Sequence, residues 1–156
     1  MRRGVRLGID VGKARIGVAR CDPDGLLAVP VETVARSKDR DIRRIAELAA
    51  EFDALEIVVG NPLALSGSET ASTADAVGFA ELLTIIGLPV RLVDERLSTV
   101  SAQQSLRQAG RSAKQQRSIV DQAAAVIILQ HAVDLERASG REPGRLVVPE
   151  EGQQHA

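Results

Sequence analysis

The chain has 156 residues, 44% hydrophobic and 26% charged, with a formal net charge of −1. This is the profile of one soluble globular domain large enough to bury a single core. Its apolar runs are too short for a membrane span and its basic N-terminus lacks a signal-peptide core, so the expectation is a cytoplasmic protein with no membrane partner.

Val5, Leu7, Ile9 and Val11 alternate at the start of the chain, which predicts a strand with one buried face. Asp10 falls on the other parity at the strand's downstream end, with Gly8 and Gly12 two residues to either side. Glycine there lets a backbone or a phosphate come close. Ile16 to Ala19 forms a second apolar run, residues 21–25 (CDPDG) a turn, and residues 26–34 a third strand interrupted by Pro30. Proline confines that strand to an edge or a bulge, and the short turns make an antiparallel meander.

Ile42, Ile45, Leu48, Ala49 and Phe52 recur at helical spacing over residues 37–52. Residues 55–59 (LEIVV) are a fourth strand, broken by Gly60-Asn61-Pro62-Leu63. Ser66 with Glu69, or Ser72 with Asp75, offers a capping box for a second helix running to about residue 86. Residues 90–95 (VRLVDE) are a fifth strand. Helices between strands imply crossovers and parallel pairing, so the fold class is α/β with a five-stranded mixed sheet. Residues 98–109 read as a helix, 110–115 as a basic loop, and 116–139 as a long helix, apolar almost all round from Ala123 to Leu129. The domain therefore spans 1–139, and 140–156 is a polar tail whose Leu146-Val147-Val148 patch can dock locally.

Composition narrows the chemistry. There is no Trp or Tyr and only Phe52 and Phe79, so no aromatic platform for unpaired bases exists. One cysteine, Cys21, with His131 and His155 supplies neither a disulfide framework nor a zinc-ligand set. Any metal must be a hard cation held by carboxylates. Asp121 stands on the buried face of the long helix, where a charge is costly unless it is paired or metal-bound; the ordinary alternative is a salt bridge to Arg117. Asp94-Glu95 ends a parallel strand, where ligands of open α/β sheets bind, and alternation lets only one of the two join Asp10. Three acids at one sheet edge suit a two-metal hydrolase, whose two ions stand about 4 Å apart.

Four motifs, in order, are GIDVG at residues 8–12, VVGNPL at 58–63 followed by Gly67-Ser68-Glu69, DERLST at 94–99, and VDQAAA at 120–125. In these the chain resembles the bacterial YqgF/RuvX family of RNase H-like proteins, over roughly residues 4–135. The resemblance implies an RNase H-like fold and a nuclease with Asp10, Glu95 and Asp121 as catalytic and metal-binding acids, using Mg2+ or Mn2+, two ions together. It implies a role in 5′-end processing of pre-16S rRNA, hence in ribosome biogenesis, with Holliday junction resolution on branched DNA as the alternative. Two departures stand out. Ser66 occupies a position where the family carries an acid, and Ala14 replaces the lysine of the family's KRIG turn, with Lys13 one residue earlier.

Residues 1–20 carry Arg2, Arg3, Arg6, Lys13, Arg15 and Arg20 against the single acid Asp10, and residues 96–120 hold bases but no acid. From these stretches, Lys13, Arg15, Arg96, Arg107, Arg111, Lys114 and Arg117, together with Asn61, are the expected nucleic-acid contacts. A monomer suffices to cut one strand, whereas symmetric cutting of a junction calls for a homodimer. Two rival readings stand beside the nuclease. An actin-like ATPase needs two such domains, for which the chain has no room. A non-catalytic RNA- or ribosome-binding module would use the acids only to structure the fold.

Overall fold

Alternation in the first strand places Leu7 and Ile9 on one face and Gly8 and Asp10 on the other, and this split organises the whole molecule. A computed structural model describes residues 1–63, 66–95 and 113–149, the side chains of 113–118 excepted. Strands β1 (Arg6–Val11), β2 (Arg15–Cys21) and β3 (Ala28–Ala35) form the meander, and α1 (Arg40–Glu51) follows. Then come β4 (Glu56–Asn61), α2 (Ala71–Leu83) with a short 3-10 turn, β5 (Val90–Asp94), α3 (Ala113–Ser139) and β6 (Arg145–Leu146). The sheet order is β3-β2-β1-β4-β5-β6. β1 runs parallel to β4 and β4 to β5, while the β1–β2, β2–β3 and β5–β6 pairs are antiparallel.

The mixed sheet agrees with the sequence reading, but it has six strands rather than five. The sixth comes from the segment expected to be a polar tail. Gly144, at φ +67°, passes so close to Leu92 O that a Cβ would meet it at 2.1 Å. Beyond it, Val147 N–H donates to Val90 O at 2.8 Å and the Val147 side chain is buried. Two paired residues are too few to leave a strand signature in the sequence. Pro30 behaves as expected: β3 is an edge strand, and the register slips between Val18 and Ala19 opposite it. The second helix is capped by Thr70 and Thr73, each hydroxyl meeting the other's backbone N–H, and not by the serines named above.

Two cores lie on the two faces. Leu7, Ile9, Ile57, Val59 and Leu92 pack under α1 and α2, against Ile45, Leu48, Phe79 and Leu83. The other face carries small residues and receives α3 through Ala125, Ile128, Leu129 and Ala132. A Cβ on Gly17 would stand 1.8 Å from Asp121 O, and one on Gly8 2.7 Å from Leu129 Cβ. Helix backbone thus rests directly on strand backbone, which no residue but glycine permits. Gly17→Ala should cost about 3 kcal/mol in urea unfolding by overpacking, because the obstacle is a backbone carbonyl that cannot turn aside. An unchanged midpoint would show that α3 is free to lift.

Charges also sit on the α3 face, at the end of the sheet away from Asp10. Arg6, Glu56 and Glu136 are all buried. Arg2 Nη2 donates to Glu56 Oε1 and to Glu136 Oε1, each at 2.7 Å, and Arg6 Nη2 donates to Glu136 Oε2 at 3.0 Å. Arg91 Nε lies 3.4 Å from Glu56 Oε2. Buried charge is tolerable only in such a mutually paired set. Among the described residues, no helix is long and apolar enough to cross a membrane.

Candidate active site

The downstream ends of the parallel strands β1, β4 and β5 lie side by side, and chain direction changes beside β1, where β2 is antiparallel. Open α/β sheets bind ligands outside such a crevice. Asp10 is the penultimate residue of β1, and Asn61 ends β4 opposite Asp94. Glu95 follows β5, with its N–H directed at Asn61 O at 3.4 Å. Asp94 shares parity with Leu92 and is exposed, whereas Glu95 shares parity with Val93 and is buried. Glu95, not Asp94, therefore turns to the face that carries Asp10. Gly60 makes the room for it, since a Cβ there would stand 2.1 Å from Glu95 Oε2. Asp121 arrives on α3, its backbone seated on Gly17, the partner of Asp10 in the β1–β2 register.

Electrostatics link the three acids through Asp10. Burial, and then the negative charge of Asp121, push the Asp10 carboxyl up to about 7. Burial, followed by the charges of Asp10 and Asp94, pushes Glu95 up to about 7 as well. Glu95 Oε2 and Asn61 Oδ1 are buried without a hydrogen-bond partner among the described residues, an expensive state for polar oxygens. Asp121 is different, because Arg15 Nε donates to its Oδ2 at 2.9 Å. Among the described residues no three His, Cys, Asp or Glu side chains close into a ready-made metal cage. The edge is an open row of acids with one of them held by an arginine.

Bases fare unevenly. Arg2 and Arg6 are consumed by Glu56 and Glu136, Arg3 pairs with Asp24, and Arg20 lies over the Phe52 ring at 4.9 Å. Of the basic N-terminal stretch, Arg15 alone among the described residues is bonded to one of the three acids of the edge, while Lys13 lines a cleft with Ser37, Asp39 and Phe79 on the side of α1 and α2. Arg96, Arg107 and Arg111 lie outside the described residues, as do the side chains of Lys114 and Arg117. Asp121 has an ion-pair partner across the fold in Arg15, while Arg117, the alternative within its own helix, has its side chain outside the described residues. Arg36 is a residue that sequence reasoning passed over. Its Nη1 donates to Gly12 O at 2.7 Å and to Asp75 Oδ2 at 2.9 Å, and its guanidinium lies 5.2 Å from the Phe79 ring centre. It braces the turn after Asp10 against α2, and only an isolated arginine after a strand marks it in the sequence.

Fold and acidic edge together define an α/β protein of the RuvC-like, RNase H-like class. Two solved structures of RuvC from Thermus thermophilus, one in complex with a Holliday junction substrate, share the fold at a TM-score of 0.51. They are 18% and 20% identical and align with 87% and 86% of this chain and 97% of theirs. Residues 4–135 match the family model RuvX, described as Holliday junction resolvase, and the chain belongs to that family. A relative from Leifsonia xyli subsp. xyli, named "Putative pre-16S rRNA nuclease", is 64% identical over 97% of this chain and 99% of its own. One of the same name from Streptomyces coelicolor is 55% identical, covering 92% and 88%.

Proposed function

We propose that the protein is a divalent-metal-dependent nuclease that hydrolyses phosphodiester bonds in maturing the 5′ end of pre-16S rRNA. The observation that carries the chemistry is the row of Asp10, Glu95 and Asp121, the first two driven toward neutrality by burial and by the charge of neighbouring carboxylates. Such a row is stable in ionised form only beside a cation. The donors fit a hard one: they are all oxygens, and Glu95 Oε2 is buried with no partner among the described residues. Asp10 and Glu95, with Asp121, would hold Mg2+ or Mn2+, which when bound activates water and stabilises charge at the scissile phosphate. The protein's own part is to hold these carboxylates rigidly on two strand ends and a helix, and to exclude water behind them with Ile128 and Val93.

Arg15, bonded to Asp121, and Lys13, on the turn after Asp10, would meet the phosphate backbone, supported by Arg96, Arg107, Arg111, Lys114 and Arg117. With so few aromatics, that grip is electrostatic. The rRNA substrate rests on the shared name of relatives that align nearly end to end with this chain, and places the work in the cytoplasm, where a monomer suffices. A four-way DNA junction is the second reading, favoured by the family's description; it calls for a homodimer.

Labelled pre-16S fragments, single-stranded RNA, duplex and a four-way junction, each incubated with Mn2+, separate these readings. Cleavage of the pre-16S fragment near its mature 5′ end is the expected result. Symmetric cutting of the junction alone would replace rRNA by branched DNA. No cleavage, with no Mn2+-induced rise in melting temperature, would leave a non-catalytic RNA-binding module.

A further inference from the structure

Arg15 is, among the described residues, the only base bonded to any of Asp10, Glu95 or Asp121. Backbone fixes both partners. Gly12 N–H donates to Arg15 O at 2.9 Å, closing the β1–β2 turn. Two residues on, Gly17 seats the Asp121 carbonyl so closely that a Cβ would lie 1.8 Å from it. The hairpin and α3 thus bring the guanidinium to the carboxylate with little left for side-chain reach to decide. The pair is only partly sheltered, with Arg15 35% and Asp121 15% exposed, so a ligand arriving from solvent can compete for either member. Among the described residues Asp10 and Glu95, in contrast, have no such partner, and Glu95 Oε2 is buried with no hydrogen bond.

We propose that Arg15 is a resident counter-ion of the acidic edge, a positioning residue that holds Asp121 until a divalent cation takes the carboxylate. The guanidinium, once released, is free for the incoming phosphodiester, whose oxygens suit its planar array of donors. The inference rests on the nuclease reading above. Its consequence is that cation and phosphate help each other. The cation frees Arg15 for phosphate, phosphate draws Arg15 off Asp121, and such coupling is reciprocal. Without substrate, Arg15 keeps the affinity for the cation low.

The test is Mn2+ affinity, measured by calorimetry without nucleic acid. Arg15→Gln should bind Mn2+ roughly tenfold more tightly than wild type, the scale of one charge-assisted hydrogen bond removed. Arg43→Gln, which removes the same charge from an exposed position on α1, should stay within about twofold. In an Asp121→Asn background the gain from Arg15→Gln should vanish, because the coupled partner is gone. Equal or weaker Mn2+ binding by Arg15→Gln, with wild type binding normally, overturns the counter-ion and leaves the nuclease reading intact. Absence of Mn2+ binding in both overturns the two together. Should Arg15→Gln lose its folded circular dichroism, Arg15→Lys carries the test. Its single-point ammonium holds Asp121 less firmly, so affinity must rise at least about twofold, and no rise overturns the inference.

Discussion

Asp10→Asn is expected to abolish cleavage and, in EDTA at about pH 8, to make the protein more stable. Loss of one of the acids that would hold the cation removes several kcal/mol of transition-state stabilisation, so the rate should fall roughly a thousandfold or more. Stability moves the other way because the Asp10 carboxyl is pushed up to about 7, first by burial and then by Asp121. An acid that binds its proton more tightly when folded favours the fold fully only below its unfolded value, near 4, and that contribution disappears as pH rises through about 7. Wild type without metal should therefore lose melting temperature from about pH 5 to about pH 8. Asn carries no such liability, and its gain at that higher pH should be on the order of 2 kcal/mol after screening at an open edge, or roughly 4–8 °C. Calorimetry in EDTA and single-turnover cleavage in Mn2+ check the two halves separately. Wild-type cleavage by the variant would remove Asp10 from the chemistry; a lower melting temperature at the alkaline end would make it a structural anchor.

Glu136→Ala should produce the largest loss of stability, roughly 3–5 kcal/mol, as expected when one member of a buried ion set is removed. Glu136 accepts from the backbone N–H, Nε and Nη2 of Arg2 and from Nη2 of Arg6. Burial opposes its ionisation, yet the bonds from Arg2 and the charges of Arg6 and Arg2 hold its carboxyl below the ordinary glutamate range. Its contribution is present above the unfolded value and fades as pH falls, opposite in sign to that of Asp10. Truncation strands the guanidinium of Arg6, which is 1% exposed, with only carbonyl oxygens for partners. Urea unfolding near neutral pH measures the loss, and a change under about 1 kcal/mol would show that Arg6 finds another acid.

Much of this architecture was legible because it rests on period and parity. The meander, the parallel strands and the buried stripe of α3 follow from alternation and helical spacing. Parity narrowed Asp94 and Glu95 to one candidate, and the orientation of Glu95 shares its cause with the burial of Val93. The rest depended on contacts between distant residues. Thr70 and Thr73 outcompeted two equally plausible serine caps because Thr73 also donates to Pro62 O at 2.8 Å. Arg2 and Arg6 belong to a basic stretch whose local sequence gives no hint of Glu56 and Glu136, which reach them from elsewhere in the chain. Arg15 reached Asp121 because two backbones meet at Gly17, and nothing local to either residue announces that meeting.

The acids of the edge stand at positions 10, 95 and 121, and the ion set opposite joins residues 2, 6 and 56 to 136. On a ribosome these segments emerge in that order, separated by the time needed to make most of the chain. Asp10 and its hairpin can form early, but Asp121 is seated only when α3 lies down on Gly17, and the lock at Glu136 closes several turns of helix later. A nascent chain therefore carries an incomplete site until α3 has been made and has packed on the sheet.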